Sequence, residues 1–228
     1  MLSKGIFITA TGTDIGKTFV TGLIVKKLRE AGMNAGYYKA ALSGAEEQAD
    51  GTWLPGDAAH VATVAGIPAK PESLVSYIYK TAVSPHLAAA REGNPVEMAQ
   101  VQADFAAASA KYDYLTMEGS GGIICPIRWD EQHILLEDII KTLGLGTLVI
   151  SNAALGSINA CVLTVYYLEQ HGIPVRGIIL NNYDESDFMQ RDNRKMMEEI
   201  TGVPVIATVK ANDTELNIDV EVLKEMYR

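Results

Sequence analysis

The stretch from Gly5 to Gly32 constrains the fold more than any other part of the chain. Gly5-Ile6-Phe7-Ile8-Thr9-Ala10 is short, apolar and rich in β-branched and aromatic residues, the pattern of a parallel strand covered on both faces. From Thr18 to Ala31, Val20, Leu23, Ile24 and Leu28 recur at helical spacing while Lys26, Lys27, Arg29 and Glu30 fall mostly elsewhere, and Gly32 is placed to stop the helix. Between them lies Thr11-Gly12-Thr13-Asp14-Ile15-Gly16-Lys17-Thr18. The usual phosphate loop has a Gly, four residues, and then Gly-Lys-[Ser/Thr]; here Thr11 fills the first slot and Gly12 follows it. Backbone N–H groups that end at a helix N-terminus make a concave anion site. Gly16 allows close approach to phosphate, Lys17 can meet its outer oxygens, and the Thr18 hydroxyl suits a Mg²⁺ ligand. A helix capped by Thr13 or Asp14 would explain the turn but not Lys17. Strand, turn, Gly-Lys-Thr and helix in that order point to a nucleotide site.

The rest of the chain repeats the strand–helix alternation. Strand patterns fall at 35–39, 73–79, 112–119, 146–152, "VRGIILNN" and "VPVIATV". Helical patterns fall at 57–65, from "SPHLAAAR" (Ser84 as N-cap, Pro85 first), and at 96–111, 134–143, 157–171, 189–201 and 220–227. Such alternation predicts an α/β fold, a single P-loop NTPase-like domain over residues 1–228 with a mostly parallel sheet and helices on both faces. A chain of 228 residues suffices for one such domain. Ligands in these sheets sit beyond the carboxyl ends of the strands, which singles out Lys39, Glu118, Asn152 and Asn181 as polar residues closing apolar strands.

A net charge of −9 disfavours general nucleic-acid or acidic-membrane binding but not a nucleotide held by one loop and Mg²⁺. Two cysteines make neither a disulfide framework nor a metal cluster. The N-terminus runs straight into the first strand without room for a signal peptide, and no apolar run spans a bilayer, so a cytoplasmic protein is expected. His60, His86, His133 and His171 lack metal-ligand spacing, and no nucleophile motif accompanies them.

Three further residues carry charge into the expected site. Lys39 is either a solvated strand end or a cation beside the phosphate loop. Glu118 precedes Gly119-Ser120-Gly121-Gly122, where a carboxylate could hold Mg²⁺ while the glycines let backbone approach a substrate. Asp57 is either a helix N-cap or a second metal carboxylate; spacing does not decide.

In order along the chain, "ATGTDIGKT", "YYKAALSG", Gly56-Asp57, "SPHLAA", "MEGSGG", "LGSIN" and "GIILNN" resemble dethiobiotin synthetase, from Ala10 to Asn182. The sequence departs from that family's usual pattern at Ala10 and Gly12, at Ala40 after the Lys, and in "ATVKAND", which lacks a Pro. The resemblance implies an ATP- and Mg²⁺-dependent ligase that closes a ureido ring on 7,8-diaminononanoate with CO₂. A substrate carbamate attacks the γ-phosphate, and the second amine opens the mixed anhydride. It implies catalytic roles for Lys17, Lys39, Thr13 and Ser43, and nucleotide contacts from Asp14, Ile15, Gly16, Lys17, Thr18, Phe19, Glu118 and Asn181, the last at the adenine edge. Metal ligands would be Thr18, Asp57 and Glu118. The substrate would meet Thr13, Ser43 and Gly121. It would also meet Gly156, Ser157 and Asn159 of a partner chain, because the implied assembly is a homodimer with its substrate site at the interface.

Rival readings leave other marks. A cobyric acid synthase-type amidotransferase needs a glutaminase that this length cannot carry. A partition-type switch ATPase has a second Lys early in the loop, which residues 10–15 lack, and a basic face or terminal membrane anchor. A non-catalytic nucleotide scaffold has no use for Lys39 and Glu118.

Overall fold

The structure, a computed structural model, describes residues 4–227. β1 (Lys4–Ala10) is buried beyond Lys4 and leads through the phosphate loop into α1 (Lys17–Glu30). β2 (Ala35–Ser43), a small ribbon of β3 (Glu46–Glu47) and β4 (Trp53–Leu54), and α2 (Gly56–Ala65) follow. Next come β5 (Val75–Tyr79), α3 (Pro85–Glu92), α4 (Met98–Ser109) and β6 (Tyr114–Glu118). A hairpin of β7 (Pro126–Trp129) and β8 (His133–Leu135) precedes α5 (Leu136–Leu143) and β9 (Gly146–Ser151). The chain continues through α6 (Ser157–Gln170), β10 (Val175–Asn181), α7 (Phe188–Thr201), β11 (Val205–Val209) and α8 (Val220–Met226).

Among the described residues, seven strands share one sheet in the order β11-β10-β9-β1-β6-β2-β5, and each pairing is parallel. β5 is an edge strand. Alternating side chains of β1 feed two cores. Phe7 packs with Leu115, Met117, Val149, Ile140 and Val165 under α3 to α7. Ile6 and Ile8 pack with Leu23, Ile24, Val61 and Leu223 under α1, α2 and α8. This is the parallel sheet with helices on both faces that the alternation required. Among the described residues, no helix is long and apolar enough to cross a membrane.

The structure corrects some local expectations and excludes the capping alternatives left open for Asp57 and for Thr13 or Asp14. Lys39 does not close its strand: β2 runs on to Ser43, because Ala40, Ala41 and Leu42 are buried and the strand pairs with β5 beyond the end of β6. Asn152 lies just past β9 rather than in it. Asp57 is not a cap; Pro55 holds the N-cap position of α2 and Asp57 sits in the first turn. Neither Thr13 nor Asp14 caps α1, since the N-cap is Gly16 in a left-handed conformation at φ 88°. The helix expected from Ile134 begins later, where the Asp138 carboxylate accepts the Leu135 N–H at 2.8 Å and leaves His133–Leu135 to a strand. The helix expected over residues 96–111 is shorter at both ends.

Candidate active site

The phosphate loop hangs between strand ends. Thr11 N–H donates to the Ile150 carbonyl at 3.0 Å, tying the loop to β9. From β10, Asn181 Nδ2 donates to the Ile15 carbonyl at 2.8 Å. A Cβ on Gly16 would lie 2.1 Å from that same nitrogen, so glycine is required there by space as well as by φ. With Gly16 at the N-cap and no side-chain cap bond, the first N–H groups of α1 are left to an anion. Lys17 Nζ donates to the Gly121 carbonyl at 3.2 Å, across the mouth of the loop. Burial, and then the Lys39 charge, pull the Lys17 ammonium below the ordinary lysine pKa.

Beside the loop lies a cluster of charge. The parallel register sets Lys39 against Glu118. Lys39 Nζ reaches Asp57 Oδ2 at 2.6 Å, Glu118 Oε1 at 3.1 Å and the Gly119 carbonyl at 3.2 Å. Thr18 Oγ1 donates to Glu118 Oε1 at 2.8 Å. Burial works against the Lys39 charge, yet Glu118 and Asp57 together raise its pKa above the ordinary value. Burial also opposes ionisation of Asp57, but Lys39, with the Thr18 hydroxyl and Lys17, outweighs it and holds that carboxyl below the usual range. A solvated strand-end lysine is therefore ruled out: Lys39 is 3% exposed and Glu118 1%. The Lys39 ammonium sits between the Asp57 and Glu118 carboxylates, and the Thr18 hydroxyl adjoins the same Glu118 oxygen.

These groups line one cleft of about 250 Å³ with Thr13, Asp14, Gly16, Lys17, Leu42, Ser43, Ser120 and Gly121. Ser43 Oγ is turned to the Val83 carbonyl. Phe19 turns its ring towards His60, with centroids 6.4 Å apart, and it packs on the core. Ile15 and Asn181 stand behind the loop rather than in the cleft. Gly156, Ser157 and Asn159 lie outside it, at the start of α6, where Gly156 is the N-cap at φ 89°. Ser157 Oγ is buried there without a hydrogen-bond partner. Sequence reasoning missed Tyr37. Its hydroxyl donates to Glu118 Oε2 at 3.1 Å, and burial, then Glu118, push its own pKa well above that of a free tyrosine. The available signal was its position two residues before Lys39 on one strand, hence on the same face.

The fold is shared with solved structures of low sequence identity. The MinC:MinD cell division protein complex of Aquifex aeolicus matches at TM-score 0.59 and 14% identity, covering 99% of this chain and 87% of that one. A ParA family ATPase from Chlorobium tepidum matches at TM-score 0.57 and 13% identity, covering 98% and 88%. A family model described as an AAA domain matches residues 4–216. Sequence relatives go further. A Clostridium botulinum (strain Eklund 17B) protein named ATP-dependent dethiobiotin synthetase BioD is 50% identical over 226 residues, 99% of each chain. Another of that name, from the Loch Maree strain, is 47% identical over the same share. With the phosphate loop, the two lysines and the paired carboxylates assembled at the sheet's carboxyl edge, the chain belongs to the ATP-dependent dethiobiotin synthetase family.

Proposed function

We propose that this chain forms dethiobiotin from 7,8-diaminononanoate and CO₂, with ATP cleaved to ADP and phosphate. The observation that carries the reading is the meeting of Lys17, Lys39, Asp57 and Glu118 in one cleft at the mouth of the phosphate loop. One substrate amine adds to CO₂ and loses a proton, giving a carbamate. A carbamate oxygen attacks the γ-phosphorus as the bond to ADP breaks, and the second amine then attacks the carbonyl carbon and expels phosphate. Little is asked of side chains here beyond neutralising and positioning moving negative charge. Lys17 meets the phosphates from within the loop. Lys39 faces the carbamate and the transferred phosphoryl from the opposite wall, and Thr13 and Ser43 offer hydroxyls to the diamine or its carbamate beside the Gly121 backbone. Asp14, Ile15, Gly16 and Phe19 contribute loop and helix backbone around the phosphates.

Thr18, Asp57 and Glu118 fit a Mg²⁺ ion, being hard oxygen donors gathered around a point that already attracts the Lys39 ammonium. Bound with ATP, such an ion neutralises charge on the phosphate oxygens. Asn181 gives one of its two amide N–H groups to the Ile15 carbonyl, and its buried Oδ1 has no partner; the reading that it accepts from the exocyclic amine of adenine is supported by that unmet acceptor. We place the reaction in the cytoplasm, where ATP is maintained.

The proposed assembly is a homodimer. It is supported by an apolar groove of Ile123, Ile124, Leu163, Tyr166 and Tyr167, with Leu163 57% and Tyr166 59% exposed on α6. Gly156, Ser157 and Asn159 open that helix, and the unpartnered Ser157 hydroxyl with the helix N-terminus suits the diamine's carboxylate in the partner's site. Sedimentation of the wild type is expected to give a dimer. Leu163→Glu with Tyr166→Glu should give a monomer with a strongly raised KM for the diamine, and a monomeric wild type would end this part of the reading.

A switch ATPase of the partition type shares the fold but hydrolyses ATP without a small-molecule acceptor. Phosphate release is therefore expected to require both diaminononanoate and bicarbonate as the CO₂ source. Equal hydrolysis with the diamine omitted would favour the switch.

A further inference from the structure

We propose that Tyr37 is a positioning residue for the reaction: its hydroxyl holds the carboxylate plane of Glu118 so that one oxygen is kept for the metal and the lysine. The inference rests on the reading of Glu118 as a Mg²⁺ ligand. Glu118 is almost fully enclosed, and its two oxygens have different company. Oε1 accepts from Thr18 Oγ1 and Lys39 Nζ, on the cleft side. Oε2 accepts from Tyr37 on the core side, where Tyr37 has no exposed surface and packs among the apolar residues beneath α1, α2 and α8.

Two consequences follow from that geometry. A buried anionic oxygen with no donor is costly, so without the hydroxyl Oε2 would be drawn round towards Lys39 or water in the cleft. Such rotation would carry Oε1 out of line with Thr18, the neighbouring donor of the proposed metal set. Tyr37 and Lys39 share a face of β2, and the β2–β6 register places Tyr37 against Thr116 and Lys39 against Glu118. Two consecutive same-face residues of one strand thus serve the two oxygens of one carboxylate. Groups that hydrogen-bond a metal ligand from behind commonly govern metal affinity about 10–100-fold when removed.

The test uses the full chain with Tyr37→Phe, which deletes the hydroxyl and keeps the ring. Tyr227→Phe is the comparison: it removes another buried hydroxyl, bonded to Thr116 Oγ1 at 2.6 Å, without touching Glu118. Mn²⁺ binding to each protein with a non-hydrolysable ATP analogue is measured by the loss of the free-Mn²⁺ paramagnetic resonance signal. The Mg²⁺ concentration giving half-maximal phosphate release is measured in parallel. Tyr37→Phe should weaken Mn²⁺ binding and raise the half-maximal Mg²⁺ about tenfold, with kcat at saturating Mg²⁺ within about threefold of wild type. Tyr227→Phe should change melting temperature alone. If wild type responds to metal but Tyr37→Phe leaves that response unchanged, or both variants shift it equally, Tyr37 is structural and the proposal fails. If wild-type turnover needs no divalent ion, the proposal falls together with the metal reading.

Discussion

Replacing Lys39 by Gln is expected to lower kcat by about 10²–10³-fold while ATP binds with nearly wild-type affinity by calorimetry. On the proposed reading, Lys39, on the wall facing the phosphate loop, acts when negative charge moves from carbamate to phosphoryl. A loss confined to that moment lowers kcat and kcat/KM together. Lys17→Gln should behave differently, weakening ATP binding as well as turnover, because Lys17 belongs to the loop that cradles the phosphates. The structure adds a second signature for Lys39. Its ammonium separates Asp57 Oδ2 from Glu118 Oε1. Removing one partner of a buried charge cluster costs about 3–5 kcal/mol, and the Asp57 side chain, 38% exposed, discounts that to about 2 kcal/mol by solvent screening. Without metal, the variant should therefore melt roughly 4–8 °C lower. Added Mg²⁺ should restore more stability to the variant than to wild type, since the ion replaces the lost cation between the carboxylates. Normal turnover in Lys39→Gln would remove the residue from the mechanism.

How far this site was legible depends on which kind of information each residue carries. The phosphate loop is local: strand, turn, Gly16-Lys17-Thr18 and helix are contiguous, so their chemistry was readable before the fold. Glu118 was singled out as a carboxylate at a strand end before a glycine run, and the structure places it in the cleft. Lys39 was singled out as a strand end, yet β2 runs past it, and what brings it into the cleft is its register opposite Glu118, which the sequence does not encode locally. Asp57 stayed ambiguous because a carboxylate in a first helical turn suits the helix as well as a ligand; its 2.6 Å contact with Lys39 is a tertiary fact with no trace in the local sequence. Tyr37 was invisible because tyrosine in a buried strand is unremarkable until a hydroxyl partner is known. The short ribbons β3–β4 and β7–β8 were missed for a simpler reason: strands of two to four residues leave no periodicity to detect.

Glu118→Gln is expected to cost about 10²–10³-fold in kcat with the fold intact. The amide is nearly isosteric and can keep the local bonds. Its carbonyl oxygen can still accept from Thr18 and Lys39, and its NH₂ can donate to the Tyr37 oxygen if that hydroxyl reverses its role. Charge is thus the main thing removed. One carboxylate fewer leaves the proposed metal with Asp57 as the one anionic side chain of its set, and leaves Lys39 ion-paired only with Asp57. Both effects act on the same charge balance, so the Lys39→Gln and Glu118→Gln losses should not multiply. In the double variant, kcat should fall little below that of the slower single variant, the behaviour of residues that act as a unit. Steady-state kinetics on the four proteins at saturating ATP and diamine measure that coupling. Near-normal kcat for Glu118→Gln would make the carboxylate merely structural. Fully multiplicative losses would mean that Lys39 and Glu118, although 3.1 Å apart, serve separate steps.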